Sequence, residues 1–404
     1  MRHRNLGPWL KFSLSLLLIF LPLTTLAEIP SQTSSNIPVL SIPAAPAIAS
    51  KSYLLMDFNS NRVLAEQDPD MRVEPASLTK MMTVYVLDHA LKQGRVKLTD
   101  MVNVSANAWK TGGSRTFLDV NSKISIQNLL QGIIIQSGND ASVAIAEHLA
   151  GSEDRFAELM NAYAQSLGMT GSHFMNATGL PHTDHYTTTR DMAILSQALI
   201  KEFPESYVLY SQKEFTFNGI KQPNRNRLLW RNEAVDGIKT GFTDSAGYCL
   251  VASGKKGAMR LIAIVMGAKS DEGRTVEANK LLNYGFNFYE TYKLYSALMP
   301  MKQTRIWMGQ EKNLNLGLAS DLYITIPKGS YKQLQANIEV SDQLKAPTKL
   351  GQVVGKLAVH YQDELLAERP VVALQNIDRG SLLGRLYDYF HLNMELLWKK
   401  STNS

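Results

Sequence analysis

The chain has 404 residues, 45% of them hydrophobic and 19% charged. That balance excludes a disordered protein and predicts more than one folded unit. The formal net charge is +6, but Arg2, Arg4 and Lys11 lie in a leader-like start, and the +3 left without them gives nucleic-acid binding no support. Cys249 is the only cysteine and sits in the apolar run Tyr248 to Ala252, so a buried structural thiol is expected and a disulfide framework is excluded.

In chain order, residues 1–27 read as an export signal: a basic start, the apolar run Phe12 to Leu23, then small Thr25 and Ala27. The run falls short of the roughly 20 residues that span a bilayer, so removal rather than anchoring is expected. Residues 28–46, rich in Ser, Pro and Ala, predict a linker or a pinned N-terminal arm. Two apolar runs between Tyr53 and Ala65 flank Asn59, Ser60 and Asn61, a hairpin signature.

After Pro75 the period becomes helical. Leu78, Met81, Met82, Tyr85 and Val86 fall on one face, their neighbours fill the other, and Gly94 supplies a stop, so a buried central helix should begin near Ser77. Further helices are predicted over Ile126–Gln136 and Ala141–Leu149, with Ser137 to Asp140 at the break between them, and over Ser152–Leu167. Thr188 and Asp191 form a capping-box pattern opening a helix through Leu199.

Strand grammar follows Asp236 and Gly237. Lys239–Thr243, Tyr248–Ser253 and Met259–Gly267 are expected strands, the last two joined through residues 254–257, and a helix should run over Glu277–Tyr292. Strands at both sequence ends with helices between them imply an α+β domain whose sheet joins distant segments. Residues 293–375 alternate in short stretches between Pro, Gly and Asp, which predicts a small all-β domain. From 376 the chain turns amphipathic: Leu383, Leu386, Tyr387, Phe390, Met394, Leu397 and Trp398 share a face opposite Arg385, Asp388, Glu395 and Lys399. This pattern suits a helix lying in a membrane interface, with a helix docked on the β domain as the alternative.

Three short motifs carry the chemistry: Ser77, Leu78, Thr79, Lys80; Ser137, Gly138, Asn139; and Lys239, Thr240, Gly241. A helix starting at Ser77 places Lys80 one turn on, within reach of the hydroxyl. A serine needs a proton acceptor, and an amine serves only when neutral; burial beside a second cation such as Lys239 would depress the Lys80 pKa in that direction. At a helix break, Ser137 can relay a proton while Asn139 holds a substrate amide. Lys239 and Thr240, opening a strand at a sheet edge, can bind a substrate carboxylate, with Gly241 permitting close backbone approach. Arg274 is a further carboxylate candidate or a solvated helix-start arginine. Each motif has a decoy, at Ser253/Lys256, Ser105/Asn107 and Lys110/Thr111/Gly112, so order and context decide. His173, His182 and His185 lack the spacing of a metal-binding helix and are expected to be surface loop residues.

The ordered set resembles the penicillin-recognising serine enzymes. With the Ser, Gly, Asn form of the second motif, the Val235–Thr243 context, the trailing β domain and the tail, it is similar to the type-5 D-alanyl-D-alanine carboxypeptidases from about residue 40 onward. The resemblance implies a β-lactamase-like α+β domain over 47–292, a β-rich domain over 293–375 and a membrane-anchoring helix over 376–404. It implies Ser77 as acylated nucleophile, Lys80 as proton acceptor and Ser137 as the third catalytic group. Asn139, Lys239, Thr240, Gly241, Phe242 and Arg274 would bind substrate, and the Ser77 and Phe242 N–H groups would form the oxyanion hole. Relatives often carry His where Phe242 stands.

On this reading the enzyme removes the terminal D-alanine from peptidoglycan stem peptides at the periplasmic face of the inner membrane, is acylated by β-lactams, and requires neither cofactor nor metal. The rivals are an endopeptidase acting on cross-links, a class A β-lactamase, and a non-catalytic wall-binding scaffold. The β-lactamase reading leaves the roughly 110 residues after Tyr292 without a purpose.

Overall fold

The computed structural model describes residues 42–402, so the expected export signal lies outside the described residues. The chain divides into two compact units. One holds the described residues through Met299 together with Leu318–Leu334; the other holds Pro300–Gly317 and the described residues from Gln335 onward.

The first unit is built on a five-stranded antiparallel sheet in the order Val63–Gln67, Ser52–Asp57, Met259–Ala268, Gly247–Lys256, Val235–Thr243. The predicted hairpin over 53–65 thus pairs with a strand two hundred residues away, Met56 facing Ile262. Ser52–Asp57 is buried along its whole length, because helices cover both faces. On one side Leu55, Leu250, Leu261 and Leu281 share a core with the helix Asp271–Phe288. On the other, Met266 and Val251 meet Met82, Val86, Ile134, Ile145 and Leu195.

The helix Thr79–Lys92 runs through that second core, and every residue from Thr79 to Asp88 is buried, as a run apolar on all sides predicts. The Ile126–Gln136 region is helical in two parts, an α-helix to Gln131 and a π-turn over Gly132–Gln136. Ser137 breaks it in the left-handed conformation, φ 61°, and the next helix starts at Asn139. Thr188 caps its helix by accepting the Asp191 N–H at 3.0 Å. At the N-terminal end, Ile48 is buried and the Tyr284 hydroxyl donates to the Pro43 carbonyl at 3.1 Å, so the described arm is pinned rather than free.

Two expectations are corrected. The hairpin between the long strands turns at Gly257 and Ala258, because pairing persists to Lys256 opposite Met259. The helix expected over Glu277–Tyr292 spans Asp271–Phe288, and Tyr289–Tyr295 is a strand paired with Leu322–Pro327. Aromatic residues serve a helix face and a strand equally well, so the period alone did not separate them.

In the second unit a sheet orders its strands as Lys302–Arg305, Asn313–Leu318, Glu364–Ala373, Val353–Tyr361, Leu334–Val340. The helix Leu382–Thr402 follows. It docks through Asp388, which accepts the Met308 N–H at 2.7 Å and an Arg305 N–H at 3.3 Å, and through buried Leu392. Leu383, Leu386, Tyr387, Phe390, Met394, Leu397 and Trp398 stay exposed. The tail therefore docks while these side chains remain exposed.

Two glycines fix the turn that carries Ser77. Gly179 has φ 82°, and a Cβ there would lie 1.8 Å from the Ala76 carbonyl oxygen. Gly241 lets the Val235–Thr243 strand approach the same turn, where a Cβ would lie 3.0 Å from the Pro75 oxygen, so the close approach expected of substrate is made first by the protein itself. Gly179→Ala should lower stability by about 2–4 kcal/mol, from the left-handed strain and the clash together. Urea unfolding checks this.

Candidate active site

Ser77 sits in a single 3-10 turn, Ala76–Leu78, directly ahead of the buried helix. Lys80, one turn on, is 1% exposed, and its Nζ lies 3.1 Å from Ser77 Oγ while donating to the Thr178 carbonyl. Burial first, and then the guanidinium of Arg225, pull the Lys80 pKa down to about 7; Asp140 and Glu153 oppose the fall. At neutral pH a large share of this amine is therefore unprotonated.

Ser137 Oγ accepts from Lys239 Nζ at 2.8 Å, and the same amine donates to the Thr240 carbonyl at 3.1 Å. Burial, followed by the charges of Lys80, Arg225 and Arg274, holds Lys239 well below the usual lysine range. The second cation that lowers Lys80 is Arg225, which carries no motif signal in the sequence, rather than the expected Lys239; the influence between the two lysines is seen on Lys239, which Lys80 lowers. The edge strand expected for the third motif is found: Val235–Thr243 closes one side of the sheet.

A cleft of about 350 Å³ opens over these groups. Ser77, Ser137, Asn139, Thr240, Gly241, Phe242 and Arg274 all line it, with Lys80 and Lys239 buried beneath. Asn139 Nδ2 donates to the Gly112 carbonyl at 2.6 Å, leaving Oδ1 buried without a partner, an acceptor at the cleft wall. Phe242 is 46% exposed and stacks on Tyr248 with ring centroids 4.3 Å apart. Its side chain offers the cleft an apolar face.

Arg274 is not the solvated helix-start arginine weighed above: it is buried, donates to the Gly241 carbonyl at 2.9 Å and pairs with Asp271. Its Nε has no partner. Arg225, lining the same cleft, makes no hydrogen bond or ion pair among the described residues and is the freer of the two cations.

The decoys stay out of the cleft. Ser105 caps the short helix Ala106–Lys110, and Ser253 lies within its strand, accepting from Arg260 at 2.7 Å. The histidine expectation is corrected at one position. His185 is buried beside the nucleophile turn, its Nε2 2.8 Å from Thr79 Oγ1, and burial lowers its pKa to about 4, so it remains neutral. Among the described residues no group of three His, Cys, Asp or Glu side chains is placed to hold a metal. Cys249 is buried, as expected, with its thiol pushed up to about 11.

A family profile described as D-alanyl-D-alanine carboxypeptidase matches residues 40–270. The chain belongs to the D-alanyl-D-alanine carboxypeptidase family. Residues 289–379 match a second profile, the C-terminal domain of penicillin-binding protein 5, which accounts for the length that a single-domain β-lactamase leaves over. D-alanyl-D-alanine carboxypeptidase DacA of Escherichia coli strain K12 is 46% identical over 359 residues, 87% of this chain and 89% of that protein. The crystal structure of penicillin-binding protein 5 from Haemophilus influenzae superposes with a TM-score of 0.81 at 43% identity, covering 83% of this chain and all of that one. Penicillin-binding protein D2 of Listeria monocytogenes, solved with ampicillin bound, gives 0.55 at 29% identity, covering 59% of this chain and 98% of that one. The Haemophilus structure, covering 83% of this chain, spans both the α+β unit and the trailing β unit, whereas the Listeria structure covers 59% of it with 98% of its own length.

Within this family architecture, Asp140 is the residue that motif reading passed over. Fully buried, it accepts the N–H groups of Thr116, Phe117 and Leu118 at 2.8, 2.9 and 3.1 Å and so ties the loop along the cleft to the second motif. Its position beside Asn139 was the available signal. Asp140→Ala leaves three N–H groups unpaired and should cost on the order of 3 kcal/mol. Amide exchange at Thr116–Leu118 should quicken in the same variant, by more than the global loss alone accounts for.

Proposed function

We propose that this serine D-Ala-D-Ala carboxypeptidase acylates Ser77 with the stem peptide, taking the Ser77 proton on Lys80. The observation that carries the assignment is the 3.1 Å separation of Lys80 Nζ and Ser77 Oγ, with the amine buried and its pKa brought down to about 7. Ser77 Oγ attacks the carbonyl carbon of the penultimate D-alanine, and its proton passes to Lys80. The C–N bond then breaks, and Ser137 hands its proton to the departing D-alanine nitrogen while drawing a replacement from Lys239, which donates to it. Water attacks the ester, a proton returns through the same groups, and the shortened peptide leaves Ser77 free.

The N–H groups of Ser77 and Phe242 hold the carbonyl oxygen as it becomes an oxyanion. Thr240, Arg274 and Arg225 bind the terminal carboxylate, Asn139 Oδ1 accepts from a substrate amide, and Gly241 presents its backbone to the extended peptide. Phe242 supplies stacking surface without titrating. β-Lactams present the same carboxylate and a strained amide, and stay on Ser77. The leader exports the chain, and the exposed face of the terminal helix holds it on the membrane at the periplasmic side. The attachment proposed is a peripheral one through that helix; no helix among the described residues is long and apolar enough to cross a bilayer.

Labelling with a tagged penicillin followed by peptide mapping should place the adduct on Ser77, and Ser77→Ala should abolish it. Recovery of label elsewhere, or fast penicillin turnover, would overturn the assignment. D-Alanine should appear from a pentapeptide while a cross-linked dimer stays intact; the reverse preference assigns an endopeptidase.

The amine works as a base only when neutral, so acylation should rise as pH climbs through about 7 and level off above it. Lys80→Arg, whose side chain stays charged, should acylate slower by a factor of about 100 to 10,000. Removal of the chain from Arg379 onward should release the protein into the soluble fraction with its D-alanine release on soluble peptide intact.

A further inference from the structure

A second concavity, of about 330 Å³, lies wholly within the β-rich unit, where the loop at Lys345 and Ala346 meets the start of the terminal helix. Three cations line it: Lys345, Arg379 and Arg385. None of the three has an ion-pair partner among the described residues, although Arg305, close by, is paired with Asp388.

The helix itself sharpens the anomaly. A helix N-terminus carries partial positive charge and ordinarily attracts acids. The first turn of Leu382–Thr402 has no acidic residue, and it carries Arg385 with Arg379 just ahead of it. Two guanidinium groups, an ammonium and the helix end thus place like charge around one hollow, a repulsive arrangement that an anion would relieve. Arginine suits a phosphate especially, because its planar fork meets two oxygens at once.

The rest of the lining is apolar: Leu382, Leu386 and Tyr389 are 67%, 49% and 52% exposed. Leu386 belongs at the same time to the exposed stripe with Leu383, Phe390, Met394 and Leu397. A free phosphate would use the cations and leave this floor wet. A lipid would use both.

We propose that the groove binds the phosphate of an anionic phospholipid headgroup, with the acyl chains leading away along the exposed face of the terminal helix. The proposal rests on the reading that this helix lies on a membrane, and it adds a site for one lipid class. The groove cations meet the headgroup while the leucines meet the hydrocarbon edge.

The test uses the full chain in flotation with vesicles of phosphatidylcholine alone and of phosphatidylcholine doped with phosphatidylglycerol. The wild type should bind both and prefer the doped vesicles. Lys345→Gln/Arg379→Gln/Arg385→Gln should lose roughly a hundredfold in affinity for the doped vesicles, at about fivefold per cation, and change less than about twofold on phosphatidylcholine. D-Alanine release from a soluble peptide should match wild type, which shows that the variant is folded.

The charge-matched variant Lys312→Gln/Lys332→Gln/Lys349→Gln, whose positions lie outside the groove, should lose only a few-fold. Equal losses in the two triple variants, or a wild type indifferent to phosphatidylglycerol, would sink the headgroup site while leaving the anchor standing. A wild type that floats with neither vesicle would sink the anchor, and the site with it. Displacement from doped vesicles by inorganic phosphate at low concentration would reassign the groove to a free anion and overturn the lipid proposal.

Discussion

Two ammonium groups cannot be buried together beneath one cleft without a change in protonation. Lys80 and Lys239 are both almost wholly excluded from solvent, and Arg225 and Arg274 add charge above them. Burying an ion costs several kcal/mol even after relaxation, so the fold favours a neutral amine. Carbonyls satisfy the remaining N–H bonds: Thr178 beside Lys80 and Thr240 beside Lys239. Nothing in this arrangement requires a histidine, and the one near it, His185, is held neutral in a supporting position.

The backbone around both serines is arranged to keep that geometry. Ala76, just ahead of Ser77, has φ 48°, and Ser137 has φ 61°, conformations that cost free energy for residues with a Cβ. Surrounding contacts over-determine them. Gly179 crowds the Ala76 carbonyl, the Asn176 side chain accepts the N–H groups of Thr178 and Gly179 at 3.2 and 2.7 Å, and Asp140 clamps the loop facing Ser137. Strain at Ala76 and Ser137 is therefore balanced by hydrogen bonds in the segments packed against them. That division suits a site whose groups must not relax.

The elements legible in the sequence were those whose period and position agreed. The helix after Ser77 was readable because it is apolar on every side, and the break at Ser137 because two helical runs failed to join. The strand at Lys239 followed a turn signal. What stayed hidden depends on chain segments far apart: Arg225 sits between two asparagines with no pattern to mark it, and Asp140 acts on a loop more than twenty residues upstream. His185 looked like its two loop neighbours, yet tertiary packing buried it alone. The helix end at Phe288 was missed because aromatic residues continue into the paired strand Tyr289–Tyr295 without a change of composition.

The terminal helix shows how one amphipathic segment can face two surroundings. Its polar side carries Asp388, and burying a carboxylate is tolerable only because the Met308 N–H and Arg305 meet it. The docked side is thus specified by a hydrogen-bonded charge together with buried Leu392, and the stripe of exposed apolar side chains is not used. Had that stripe been used for docking, the same helix would have spent its hydrophobic face on the β unit and presented charge outward. Instead a polar contact helps to fix the rotational setting, and Leu383, Leu386, Phe390, Met394 and Leu397 stay exposed. The uncompensated cations at the start of that stripe extend the same logic, since a surface that takes up apolar side chains and also carries phosphate at its edge satisfies both halves of the segment at once.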